Sequence, residues 1–207
     1  MLVIGDIAGQ YDALMALLKQ CPDREPISLG DMCDRGPDSK KVFEFFKNNG
    51  KALKGNHEHF IEDFYFKLNY YQSPVWLEQG GFATLKNFNY VIPQDIADWI
   101  KSLPLYHKKD HFFLSHAPRR KGLSLKNVCD LGTVAFNPIT KATCDHTIIW
   151  NRNPPTKIKN TFQIFGHCSR FGYQEFGDYA VCLDSSRQHK LTAIEIPSMT
   201  IYQQDYL

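Results

Sequence analysis

Pro26-Ile27-Ser28-Leu29-Gly30-Asp31 reads as a short apolar strand closed by a glycine and a carboxylate. The figure repeats on both sides, in Leu2-Val3-Ile4-Gly5-Asp6 and in Ala52-Leu53-Lys54-Gly55-Asn56, and the interval from Asp6 to Asp31 equals that from Asp31 to Asn56. Between the strands, Leu14, Leu17 and Leu18 recur at helical spacing from Asp12. Val42, Phe43, Phe45 and Phe46 do so after Asp38, a residue type that caps helices. Each interval is therefore one strand-helix unit, and Asp6, Asp31 and Asn56 should leave neighbouring strands of one sheet. In such sheets ligands bind beyond the carboxyl ends of the strands, where glycine lets the backbone turn tightly.

Further along, a helix is expected through Ile96, Trp99 and Ile100. Strands follow at His111–Leu114, Phe162–Phe165, Tyr179–Leu183 and Leu191–Ile196. Two of these lead into Ser115-His116 and Gly166-His167. The chain thus opens as βαβαβα and ends β-rich, an α/β class. The stretch from about 118 to 146 has weak periodicity and reads as a long loop or small insertion over the site.

The chain has 207 residues, 43% hydrophobic and 22% charged, as expected of one domain with a sizeable core. A net charge of +2 argues against nucleic acid or an anionic membrane as partner. No run of eighteen apolar residues occurs, and Gly5-Asp6 follows the first residues too closely for a signal peptide, so a cytoplasmic location is expected. Cys21, Cys33, Cys129, Cys144, Cys168 and Cys182 form no CxxC pair and read as reduced thiols.

Two carboxylates, one amide and two imidazoles at strand ends are an oxygen-and-nitrogen set suited to Mn, Fe or Zn. They are too few to close two metal shells, which leaves room for water and substrate. Each Gly-Asp alone would be an ordinary turn; their repetition gives them weight.

Gly30-Asp31-Met32-Cys33-Asp34-Arg35-Gly36 and Gly55-Asn56-His57-Glu58 resemble two signatures of the phosphoprotein phosphatase family of binuclear metallophosphoesterases. Gly5-Asp6-Ile7-Ala8-Gly9 resembles a third. Ser115-His116-Ala117, Ile149-Trp150-Asn151-Arg152, Phe165-Gly166-His167 and Leu183-Asp184-Ser185-Ser186 are similar to its bacterial and phage branch, typified by the lambda-phage serine/threonine phosphatase. The resemblance implies a calcineurin-like fold, a sandwich of two mixed sheets flanked by helices in four layers. It also implies two divalent ions, Mn²⁺ first and Fe or Zn as alternatives. Asp31 would bridge them, Asp6 would hold the first, and Asn56, His116 and His167 the second. A water between the ions would attack phosphorus as hydroxide. His57 would protonate the leaving oxygen with Asp34 orienting it, and Arg35 and Arg152, with Asn56, would hold the phosphate. The plainer alternatives are an Asp34–Arg35 ion pair and a solvated Arg152.

Ala8 stands where the family carries a histidine ligand, so the chain is expected to be impaired. The intact remainder of the set favours an engineered substitution over a natural loss. His59 is expected at the surface or behind the site; Arg119 and Arg120 either touch substrate or are loop charges. Phe60, Phe64, Tyr65 and Phe66 read as core or cleft wall, and Cys168 as an oxidation-sensitive point. The expected activity is hydrolysis of phosphate monoesters on protein or of small phosphoesters. The alternatives are dinucleoside-tetraphosphate hydrolysis and a non-catalytic, phosphate-binding pseudophosphatase.

Overall fold

Leu2, Val3 and Ile4 alternate between two cores, and that alternation sets the architecture. Leu2 and Ile4 pack with Leu14, Leu17, Val42, Phe43 and Phe46 of the helices. Val3 faces the other way, onto Ile27, Leu29, Leu114, Ile164 and Val181. In the computed structural model, residues 1–67, 73–122 and 147–207 are described.

Among the described residues there are ten strands: β1 (Leu2–Ile4), β2 (Pro26–Ser28), β3 (Lys51–Ala52), β4 (Tyr106–Lys109), β5 (Phe112–Ser115), β6 (Phe162–Phe165), β7 (Gln174–Phe176), β8 (Ala180–Cys182), β9 (Lys190–Glu195) and β10 (Thr200–Asp205). One sheet has the order β10-β9-β1-β2-β3 and the other β4-β5-β6-β8-β7. Both are mixed. β1, β2 and β3 run parallel, as do β5, β6 and β8, while the remaining strands are antiparallel to their neighbours. The parallel triplets carry the site residues from their carboxyl ends. Between the sheets, each buried Val, Leu or Ile contributes about 1.5–3 kcal/mol relative to exposure.

Helices α1 (Tyr11–Gln20), α2 (Ser39–Asn49), α3 (Asn56–Lys67), α4 (Ser73–Trp76), α5 (Phe82–Asn87) and α6 (Gln94–Ser102) follow, with a wide turn at Leu77–Gly81 joining α4 to α5. The core on the outer face of the first sheet draws on α1, α2, α3, α5 and α6. On the outer face of the second, Phe165, Ala180 and Cys182 are covered by Phe171, Phe176 and Tyr179. No described helix is long and apolar enough to cross a membrane.

Several local expectations need correction. β3 ends at Ala52, not Lys54, because the Lys54 N–H leaves the ladder for the Pro104 carbonyl (2.9 Å). Its ammonium is buried instead between Glu62 (2.6 Å) and the Lys101 carbonyl (2.9 Å). Phe45 is only half-buried, set edge-on to Phe46 at 5.1 Å. Asp38 precedes α2, but its carboxylate meets Lys41 (2.9 Å) and caps no helical N–H. β4, β7 and β10 carry no apolar run because each is an edge strand with one partner. Most of the expected insertion, residues 123–146, lies outside the described residues.

Candidate active site

Asp6, Asp31, Asn56, His116 and His167, placed at strand ends by the sequence, meet at one edge of the two sheets, and all are buried. The backbone is bent to bring them there. Ala8 (φ 52°), Asp31 (51°), Asp34 (69°), Arg35 (58°) and His167 (62°) all take the left-handed conformation that non-glycine residues avoid. Such outliers cluster where a site over-determines the backbone. Gly55 lies so close beneath Asp31 that a Cβ there would collide with Oδ1.

Glu58, quoted in a motif but given no role by the sequence, locks this frame. Its carboxylate accepts the N–H groups of Asp31, Met32 and Gly55, each at 2.8 Å, and so ties the β2 exit to the β3 exit. Burial and the Asp31 charge push its pKa up to about 7. Asp184, which follows β8 as the others follow their strands, was likewise unassigned. It is buried, and burial raises its pKa despite hydrogen bonds from Ser186. Asp6 is pushed well above the carboxylate range by burial, then by Asp184 and Asp31.

His116 and His167 show how the donors are aimed. His116 Nδ1 lies 3.1 Å from the Leu29 carbonyl, and His167 Nε2 lies 3.2 Å from that of Trp150. A carbonyl only accepts, so these nitrogens carry the protons. Lone pairs remain on His116 Nε2 and His167 Nδ1, which point at Asn56 Oδ1 from 2.9 and 2.8 Å. His116 Nε2 also lies 3.3 Å from Asp31 Oδ1. Burial lowers the pKa of both imidazoles, which favours the neutral form a ligand needs. Donor atoms of Asp31, His116 and His167 all lie within 4.8 Å of one another.

Acceptor facing acceptor, beside crowded carboxylates, is repulsive, and a positive charge between them removes the repulsion. The Asn56 amide nitrogen, meanwhile, is buried without a partner. This chain's residues therefore fit a divalent cation held by oxygen and imidazole nitrogen. Ala8, 4% exposed, brings only a methyl group to the wall, its N–H bonded to the Asp31 carbonyl (2.9 Å).

His57 follows Asn56 in the first turn of α3. Its N–H donates to Asp31 Oδ1 (3.0 Å), and its Nδ1 faces Asp34 Oδ2 at 2.5 Å. Burial lowers its pKa, but Asp31 and Asp34 outweigh that and raise it. The Arg35 guanidinium donates to His57 Nε2 (3.2 Å) and to the Gln79 carbonyl (3.3 Å), so it is not spent on Asp34. Arg152 is exposed, but its charge reaches His167, whose pKa it lowers after burial and His116.

Other residues surround these. His59 takes the second of its two expected places, buried behind the site, and accepts the Trp150 indole N–H (3.4 Å). Phe60 packs edge-on between His57 (5.9 Å) and Trp150 (5.1 Å). Arg119 stacks on Phe113 at 4.9 Å, and Arg120 is exposed. Among the described residues Cys21, Cys33, Cys168 and Cys182 are free thiols. Cys168 is a poor oxidation point, since burial pushes its pKa up to about 12. At pH 8 little of it is thiolate, so iodoacetamide should leave it unlabelled in the folded chain. Peptide mass spectrometry checks this; fast native labelling at Cys168 would contradict it.

A sandwich of mixed sheets with such donors at its strand ends suits a metal-dependent enzyme. The family is given by comparison: the calcineurin-like phosphoesterase model matches residues 1–194, and the chain belongs to that family. Serine/threonine-protein phosphatase 1 of Salmonella typhimurium is 37% identical over 68% of this chain and 89% of its own length. That relative supports membership of the phosphoprotein phosphatases. A symmetrical bis(5'-nucleosyl)-tetraphosphatase of Vibrio vulnificus is 28% identical over 56% of this chain, which spans 43% of that enzyme. The fold is shared with a metallophosphoesterase from Sphaerobacter thermophilus at TM-score 0.61 and 12% identity, covering 100% of this chain and 90% of that one. The general activity of the family is phosphoester hydrolysis.

Proposed function

We propose that the chain hydrolyses phosphate monoesters on serine, threonine or tyrosine side chains, or small phosphoesters, at the strand-end site. The observation that carries this reading is Asn56 Oδ1 facing the lone pairs of His116 and His167, with the His57–Asp34 pair adjoining Asp31. Asp31, Asn56, His116 and His167 would hold one divalent ion, and Asp6 with Asp31 a second; Mn²⁺ is the first choice and Fe or Zn the alternatives. When bound, such ions neutralise phosphate charge and supply a water of lowered pKa as nucleophile.

The remaining steps belong to side chains. Arg35 and Arg152 bind the phosphate oxygens, a task suited to the planar guanidinium fork. Moving Arg35 onto phosphate withdraws its N–H from His57 Nε2 and frees that nitrogen to carry a proton. His57 then gives the proton to the leaving oxygen as its bond to phosphorus breaks, while Asp34 holds Nδ1–H. The similarity to the Salmonella typhimurium phosphatase supports a phosphoprotein substrate, and that to the tetraphosphatase supports dinucleoside tetraphosphates as the second reading. A test is turnover of p-nitrophenyl phosphate, a phosphopeptide and diadenosine tetraphosphate with Mn²⁺. Hydrolysis of the tetraphosphate alone would overturn the first reading.

Ala8 weakens the first ion's site. Histidine also tolerates the left-handed backbone at this position better than alanine does. Removing a residue that merely supports a ligand costs roughly 10–100-fold in affinity or activity, so Ala8→His should raise turnover by at least about 10-fold. Mn²⁺ stoichiometry should move toward two. Unchanged stoichiometry and rate would show that position 8 contributes no ligand.

A further inference from the structure

Asp34 is fully buried, and His57 is its one ion-pair partner among the described residues. Two neutral donors accompany it. The Trp76 indole N–H donates to Oδ2 (2.9 Å), the oxygen shared with His57, and the Thr84 hydroxyl donates to Oδ1 (2.5 Å). The same hydroxyl accepts the Asp34 N–H (3.0 Å), so backbone and carboxylate are gripped together. Thr84 has one proton, which the carboxylate takes; Ser39 Oγ, 3.1 Å away, is then the donor to Thr84.

Both gripping residues come from one segment. Trp76 ends α4 and Thr84 lies in α5, and both are fully buried. Trp76 is wedged against Phe64 at 5.1 Å and against Gly81, where a Cβ would collide with the indole. The turn between them supplies the Gln79 carbonyl that holds Arg35. The Ser73–Asn87 segment thus fixes the neighbours of His57 on two sides, although no motif singled it out.

We propose that Trp76 and Thr84 are positioning residues for proton donation: by fixing the plane of the Asp34 carboxylate they hold the His57 ring so that Nε2 faces the leaving oxygen. With one donor gone, a carboxylate oxygen in a dry pocket is undersatisfied and the carboxylate turns, taking Nδ1–H and the ring with it. This rests on the role given to His57 above.

The test assays Thr84→Val, Thr84→Ser and Trp76→Phe beside His57→Asn, on a phosphoserine peptide and on p-nitrophenyl phosphate with Mn²⁺. Thr84→Val and Trp76→Phe should lower kcat on the peptide about 10–100-fold, a part of the roughly 10²–10⁴-fold that proton transfer provides. The loss on p-nitrophenyl phosphate, whose leaving group needs little protonation, should be clearly smaller. KM and calorimetric Mn²⁺ affinity should hold, and Thr84→Ser should restore the rate. Equal losses on both substrates, weakened Mn²⁺ binding, unchanged rates, or no rescue by serine would overturn the positioning role while His57→Asn still discriminates between substrates. If His57→Asn itself loses equally on both, proton donation by His57 is what fails.

Discussion

Replacing His57 by asparagine is expected to cut turnover of a phosphoserine peptide by about 10²–10⁴-fold, the range that a positioned proton donor supplies. Asparagine keeps the backbone N–H that bonds Asp31 Oδ1 in the first turn of α3, so the carboxylate and Asn56 beside it should stay in place. Mn²⁺ affinity should therefore change little. A p-nitrophenolate leaves without a proton, so p-nitrophenyl phosphate should suffer much less than the peptide. Steady-state kinetics on the two substrates checks this. An equal loss on both would mean that His57 serves the frame rather than the leaving group.

The second large effect is expected from His116→Ala. His116 is fully buried, bound to the Leu29 carbonyl on one nitrogen, and aims the other at Asn56 Oδ1 and Asp31 Oδ1. In the proposed reaction its loss removes a direct ligand, so metal affinity and turnover should each fall by at least about 10–100-fold, the range seen when only an outer partner is removed. Cation removal by a chelator should have the same consequence in the parent chain and little further effect in the variant. His116→Gln, which fills more of the space, separates ligand loss from the cavity that alanine leaves. Retained affinity in both variants would exclude His116 from the cation site.

The strand-end residues were legible in the sequence because a parallel strand, a glycine and a polar residue recur at equal spacing; Asp6, Asp31 and Asn56 needed nothing more. Asp184 obeys the same rule after β8 but lay hidden in Leu183-Asp184-Ser185-Ser186, where no glycine marks the turn. Trp76 and Thr84 were illegible for another reason. Their partner Asp34 is 42 and 50 residues distant, and a tryptophan in a short helical turn looks like any core aromatic. For His59 the sequence left the surface and a place behind the site both open, because helical spacing from His57 tells which way a side chain points but not what covers it. Trp150, from far along the chain, buries it. The edge strands β4 and β10 were missed because Lys108, Lys109, Gln203 and Gln204 keep such edges polar.

In the proposed function Asp31, Asn56, His116 and His167 form a divalent-cation site. Calorimetric titration of Mn²⁺ into the metal-stripped chain, its His57→Asn variant and its His116→Ala variant tests it most directly. The expected result is saturable binding of at least one ion in the parent and in His57→Asn, weakened at least about 10-fold in His116→Ala. Binding of equal strength in all three, or none in the parent, would contradict the claim.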